Sequence, residues 1–243
     1  MKTNNIPVLL KVKFKLLIKN FSAMVGSILA IFFSILFRTT LPNISFDGQK
    51  APFILMMVVM FNSVMASIMM ISIPMAEEKE KKSLKLLISS SISQTDYVIA
   101  TITPPFVVIM ITNFILPFLS GVKLQIMSYL IYIVISMVMT LMSMIVGLLI
   151  GILCRKVSDT SYVVLPVILP LILIPQFATF NQSMAKVSNY LYTGILLKML
   201  RAVSLNQSIQ LSLQSLGIIL LEFILLLGFF FYLYNSRGIR LEK

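Results

Sequence analysis

The chain has 243 residues, 58% hydrophobic and 12% charged, with a mean hydropathy of +0.99. Soluble domains run nearer ~45–50% apolar and ~25% charged, so a soluble fold is excluded and the bilayer is the solvent. Its net charge of +12 falls mainly at the ends of apolar blocks, which suits membrane topology and anionic head groups rather than nucleic acid.

In such a chain length is counted in spans of ~20 apolar residues. Residues 1–20 carry Lys2, Lys11, Lys13, Lys15 and Lys19. Lys11, Lys15 and Lys19 are four apart and form one stripe of a helix, with Leu9, Val12 and Leu16 on another side. This reads as a basic helix lying in the cytoplasmic interface, although residues 11–16 also alternate with the period of a strand. The first span covers about 21–37 and shows no signal-peptide cleavage site. A loop follows at 38–51, then a methionine-rich second span at 52–76. A charged island occupies 77–93. The third span runs over 97–119, the fourth over 125–153, and the fifth starts near Tyr162 and contains Pro166, Pro170 and Pro175. A mixed stretch at 176–212 suits an extracellular or re-entrant segment. The last span is 213–234, followed by basic residues at the end.

The fold expected is therefore an all-α membrane protein. An N-terminal interfacial helix (1–20) precedes a single six-span domain (21–243). Six spans place both termini on one side. Of the 20 Lys and Arg residues, only Arg38, Lys50, Lys123, Lys186, Lys198 and Arg201 fall on the other side. The positive-inside rule then makes the termini and the island cytoplasmic. The Lys-, Ile-, Asn- and Ser-rich composition suggests a bacterial plasma membrane.

The island begins Glu77-Glu78-Lys79-Glu80-Lys81-Lys82. On a helix Glu77 faces Lys81 and Glu78 faces Lys82, acid first, the more favourable order. Leu84, Leu87 and Ile88 make a short apolar face. The serines at 89–93 suit a turn, with Ser93, Thr95 or Asp96 placed to cap the third span. Charge alone fits either a short amphipathic helix across the cytoplasmic face or a solvated loop.

The string from Glu80 to Ser93 resembles the cytoplasmic loop of ABC-2 type transporter permeases. Their pattern is Glu-basic-x-x-[Thr/Ser]-Leu-acid-x-Leu-Leu, then Ser-Pro and a hydrophobic residue. Glu80, Ser83, Leu84, Leu86, Leu87, Ser90 and Ile92 stand at matching positions. Lys85 stands at the acidic position and Ser91 at the proline. The resemblance extends in outline to the N-terminal helix, the six spans and a broken extracellular hairpin before the last one. It implies that the island is a coupling helix docked on a separate ATP-binding subunit, through Glu77, Glu78, Glu80, Lys81, Lys82, Leu84, Leu87 and Ile88. It also implies a second permease subunit, identical or not, and ATP with Mg held by the partner ATPase. This chain contains no Gly-x-x-x-x-Gly-Lys-[Ser/Thr] phosphate loop, so no catalytic role or cofactor of its own is expected.

Other residues carry two readings each. Glu222, inside the last span, either meets a cationic group or proton on a substrate pathway, or packs the bundle. Asn62 and Asn113 either bind substrate or hydrogen-bond across helices. Ser143, Gly147 and Gly151 are four apart and let helices approach closely. The methionines of the second span are either an adaptable lining or core filler. Cys154 has neither a second Cys nor a His for a disulfide or a metal site. The function expected is the membrane half of an ATP-driven exporter of an amphipathic substrate, such as a toxic or antimicrobial peptide or a drug. The alternatives are an ion-coupled carrier using Glu222, and a non-transporting sensor or immunity protein.

Overall fold

The computed structural model describes residues 6–41, 50–81, 94–209 and 212–236. Helix α1 (Ile6–Lys19) precedes α2 (Phe21–Thr40). The second span is α3 (Lys50–Met60), a π-helical segment (Phe61–Ala66) and α4 (Ser67–Glu80). Then come α5 (Gln94–Ser120), α6 (Ile126–Leu153), α7 (Val157–Phe177), the short α8 (Gln182–Ser188), α9 (Tyr192–Ser204) and α10 (Leu213–Ser236). Six of these stretches are long and apolar enough to cross a membrane, and no strand occurs among the described residues.

The spans are unequal in depth. The most apolar window of the second and of the fourth span is 72% buried, that of the last only 11%. The second and fourth spans form the central pair because small residues bring them together. A Cβ on Gly147 would come within 3.0 Å of the Ile68 carbonyl, and one on Gly151 within 2.8 Å of the Met75 sulfur. Met60, Met70 and Met75 are buried in this core, where an unbranched, polarizable side chain fills irregular space.

Helix ends are closed by specific groups. The third span stops at Gly121, whose φ of +81° suits glycine. The N–H of Val122 then bonds the Pro117 carbonyl at 3.0 Å and that of Gly121 the Phe118 carbonyl at 3.3 Å. Arg38 Nη1 donates to the Phe118 and Leu119 carbonyls at 3.2 and 3.3 Å. Lys50 Nζ donates to the Arg38 carbonyl at 2.8 Å and also to that of Leu41. These cations meet the partial negative charge of helix C-termini.

Three expectations need correction. Helix α1 buries Leu9, Lys13 and Leu17, while Val12 and Leu16 are about half exposed. The inward face is thus turned away from Val12 and Leu16, and it includes a lysine. The fifth span begins at Val157, ahead of Tyr162, because Asp159 accepts from the Lys156 N–H at 3.1 Å and closes its first turn. The second span does not stop at Ala76 but stays helical through Glu80.

Candidate coupling site at the end of the second span

Each of the four residues from Glu77 to Glu80 reaches a different part of the bundle. Glu77 accepts from Asn20 Nδ2 at 2.8 Å and from Lys81 Nζ at 2.5 Å. Asn20 also caps α2, its Oδ1 accepting from the Ala23 N–H at 3.1 Å. Glu78 turns inward: Lys13 Nζ lies 2.5 Å from its Oε1, and the Tyr97 hydroxyl donates to its Oε2 at 2.8 Å. The Lys13 ammonium also sits 4.3 Å from the Tyr97 ring centroid, within cation–π range. Lys79 Nζ donates to the Gly151 and Ile152 carbonyls, both at 2.7 Å, and to that of Cys154 at 3.2 Å, closing the end of the fourth span. Glu80 Oε2 accepts from the Val157 N–H at 2.9 Å, at the start of the fifth.

One turn of helix therefore ties together α1 and the first, third, fourth and fifth spans. The reason is periodic: four successive residues point about 100° apart and so cover the whole circumference of the helix. Electrostatics separates them. Glu80 and Lys81 are exposed, and the Glu77–Lys81 pair contributes little because solvent screens it. Lys13 and Glu78 are buried. Burial pushes the Lys13 ammonium below the ordinary lysine value, and the Glu78 carboxylate opposes that push. A buried pair of this kind contributes little net stability, but removing one partner costs several kcal/mol, about 3–5.

The pairing of Glu77 with Lys81 foreseen from spacing is present. Lys82, Leu84, Leu87 and Ile88, and with them Lys85 and Ser91, lie outside the described residues. Sequence reasoning missed Lys13, Asn20, Lys79 and Tyr97. A signal for Lys13 existed: it is the lysine on the Leu9–Leu17 stripe at i, i+4 and i+8.

Asn62 and Asn113 meet inside the bundle, both fully buried. Asn62 Nδ2 donates to Asn113 Oδ1 at 2.8 Å and to the Ile109 carbonyl at 3.0 Å; Ser27 Oγ donates to Asn62 Oδ1 at 2.5 Å. Asn113 Nδ2 donates to Ser63 Oγ at 2.9 Å. Pro117 has no N–H to give the Asn113 carbonyl, and the Tyr132 hydroxyl supplies a donor at 3.0 Å instead. The network joins the first four spans at the π-helical segment, where the second span is locally widened.

Ser143, Gly147 and Gly151 all face inward. The two glycines contact the second span. Ser143 Oγ donates to the Met139 carbonyl at 2.8 Å, so at 2.9 Å from Tyr192 it accepts the phenolic proton.

Glu222 has a partner that a search for opposite charge cannot find. Its Oε2 accepts from the backbone N–H of Tyr192 at 2.6 Å, at the first turn of α9, where Leu191 offers no side-chain cap. Glu222 thus caps α9 and pins the α8–α9 hairpin to the last span. Gly194 makes that hairpin possible, since a Cβ there would overlap the Ser188 carbonyl. Replacing Glu222 by Gln keeps an acceptor oxygen, and the unfolding midpoint of the purified protein should stay close to the parent. Replacing it by Leu removes the cap and should cost about 0.5–2 kcal/mol. Equal loss in both variants would show that charge, not capping, is what matters.

No curated protein matches the chain. A family model described as "ABC-2 family transporter protein" matches residues 38–232, a range that includes the second span with its terminal turn, the hairpin and nearly all of the last span. That family model covers most of the chain, which has six helices able to cross a membrane; the chain belongs to the ABC-2 family of transporter proteins.

Proposed function

We propose that this chain is the membrane permease of an ATP-driven exporter, and that residues 77–93 receive force from a separate ATP-binding subunit. The observation carrying this reading is the node at Glu77–Glu80. Residues 82–93 follow it directly in sequence, and Tyr97, which contacts Glu78, comes shortly after them. A push on the loop reaches α1 and four further spans through hydrogen bonds of 2.5–3.2 Å. Two permease copies with two ATPases would then rock between inward- and outward-facing states as the ATPases close on ATP and Mg. Glu77, Glu80, Lys81, Lys82, Leu84, Leu87 and Ile88 serve docking in this reading, and Glu78 holds the loop's root. Asn62, Asn113, Ser143, Gly147 and Gly151 hold the bundle together. In this reading both termini are cytoplasmic, as the charge bias favours, and the membrane is a bacterial plasma membrane. The substrate class proposed is amphipathic, a peptide or drug, in keeping with a small chain whose second span is rich in methionine.

The test is copurification followed by transport. Tagged chain extracted in mild detergent should carry an ATPase subunit. Reversing the exposed pair, Glu80→Lys with Lys81→Glu, should weaken that association by about tenfold. A chain that comes out alone and moves substrate with ATP depleted is a carrier, and the proposal fails.

A further inference from the structure

A cavity of about 900 Å³ opens at the end of the bundle opposite α1, between the α8–α9 hairpin and the start of the last span. This size is at the upper end of the range for small-molecule sites, ~300–1,000 Å³. Exposed Lys186, Lys198 and Asn189 line it, and so do the less exposed Ile195, Met199 and Ile218. No acidic residue lines it among the described residues.

Two other cations at this end are occupied. Arg38 and Lys50 are committed to helix carbonyls. Among the described residues Lys198 donates to the Asn189 amide oxygen, which carries no charge to neutralise it. Lys186 is exposed and makes no ion pair among the described residues. The acid of the neighbouring span segment, Glu222, is held by the Tyr192 N–H. Ile218, which lines the cavity, shares a helix face with apolar residues further along α10. Ile218, Leu221 and Leu225 are spaced i, i+3 and i+7, on one face of α10, and Leu221 and Leu225 are 58% and 61% exposed. Two ammonium groups above an apolar track that runs toward the hydrocarbon match a molecule with an anionic head and acyl chains.

We propose that this cavity binds an anionic phospholipid from the leaflet opposite α1. The phosphate sits between Lys186 and Lys198, and the chains lie along Ile218, Leu221 and Leu225. The lipid then fills the gap between the hairpin and the last span, the least buried span of the six. The proposal is independent of the ATP-driven reading and is tested without an ATPase.

The chain contains no tryptophan, so a single one introduced by Leu221→Trp reports on this track alone. That variant is placed in phosphatidylcholine nanodiscs doped with either brominated phosphatidylglycerol or brominated phosphatidylcholine, and quenching is measured. Brominated phosphatidylglycerol should quench at about tenfold lower mole fraction, the ratio that one charge-assisted contact supports. Lys186→Gln with Lys198→Gln should abolish that preference while leaving quenching by phosphatidylcholine unchanged. Each single substitution should reduce it in part, which keeps the test readable if the double variant folds poorly. Lys123→Gln, an exposed lysine outside the cavity, should leave the preference intact. Equal quenching by the two lipids, or a preference that survives loss of both lysines, overturns the proposal. Displacement by inorganic phosphate alone would make this a free-anion site and overturns the lipid assignment as well.

Discussion

Replacing Glu78 by Ala should lower the stability of the extracted protein by about 3–5 kcal/mol, the cost of leaving a buried charge without its partner. The variant strands the Lys13 ammonium and orphans the Tyr97 hydroxyl, both of which are buried. Lys13→Ala should cost a similar amount, because it removes the buried cation that the Glu78 carboxylate faces. The double variant should cost clearly less than the two combined, since the stranded charge disappears with its partner. The pair Lys13→Met with Glu78→Leu should come back close to the parent, as apolar replacements of buried ion pairs do. Thermal unfolding in detergent reads all four. Strict additivity of the single losses would mean that the two groups do not act as a pair, and the node would lose its central contact. Transport assayed on the stable apolar pair asks a separate question: whether the ionic contact also transmits force.

Gly26→Ala should disrupt the crossing of the first two spans. Its Cβ would lie 2.7 Å from the N, Cα and Cβ of Ala66. Two of those atoms are backbone of the π-helical segment, so no side-chain rotation relieves the clash. Overpacking of this kind costs about 1–3 kcal/mol. The first span would have to back away, stretching the 2.5 Å contact between Ser27 and Asn62 that lies next to Gly26 in sequence. Interhelical hydrogen bonds in bilayers average ~0.6 kcal/mol, so the steric cost dominates. Ala66→Gly in the same chain should restore part of the loss by giving back one methyl. A Gly26→Ala protein with an unchanged midpoint would show that the two spans slide freely at this crossing.

Both predictions concern contacts that a linear reading could not supply. Lys13 and Glu78 are 65 residues apart. Spacing alone pairs Glu78 with Lys82 one turn ahead; packing against α1 and the third span turns it inward. Glu222 was sought against Lys or Arg, whereas its partner is a backbone N–H 30 residues away, which no side-chain pattern reveals. The π-helical segment was equally invisible, because its sequence, Phe61–Ala66, is as apolar as its neighbours.

What the sequence determined by itself was the number of spans and their approximate limits, and through Glu80–Ser93 the resemblance that the family match bears out. Those properties are additive along the chain. Transfer of an apolar run into a bilayer depends on the run alone, and each spanning helix satisfies its own backbone hydrogen bonds. Helix rotation, the choice of the second and fourth spans as the core and the identity of every polar partner depended on tertiary structure. They are set where helices touch, by small residues such as Gly26 and Gly147 that fix the distance of approach, and by polar groups that must find a partner once water is gone.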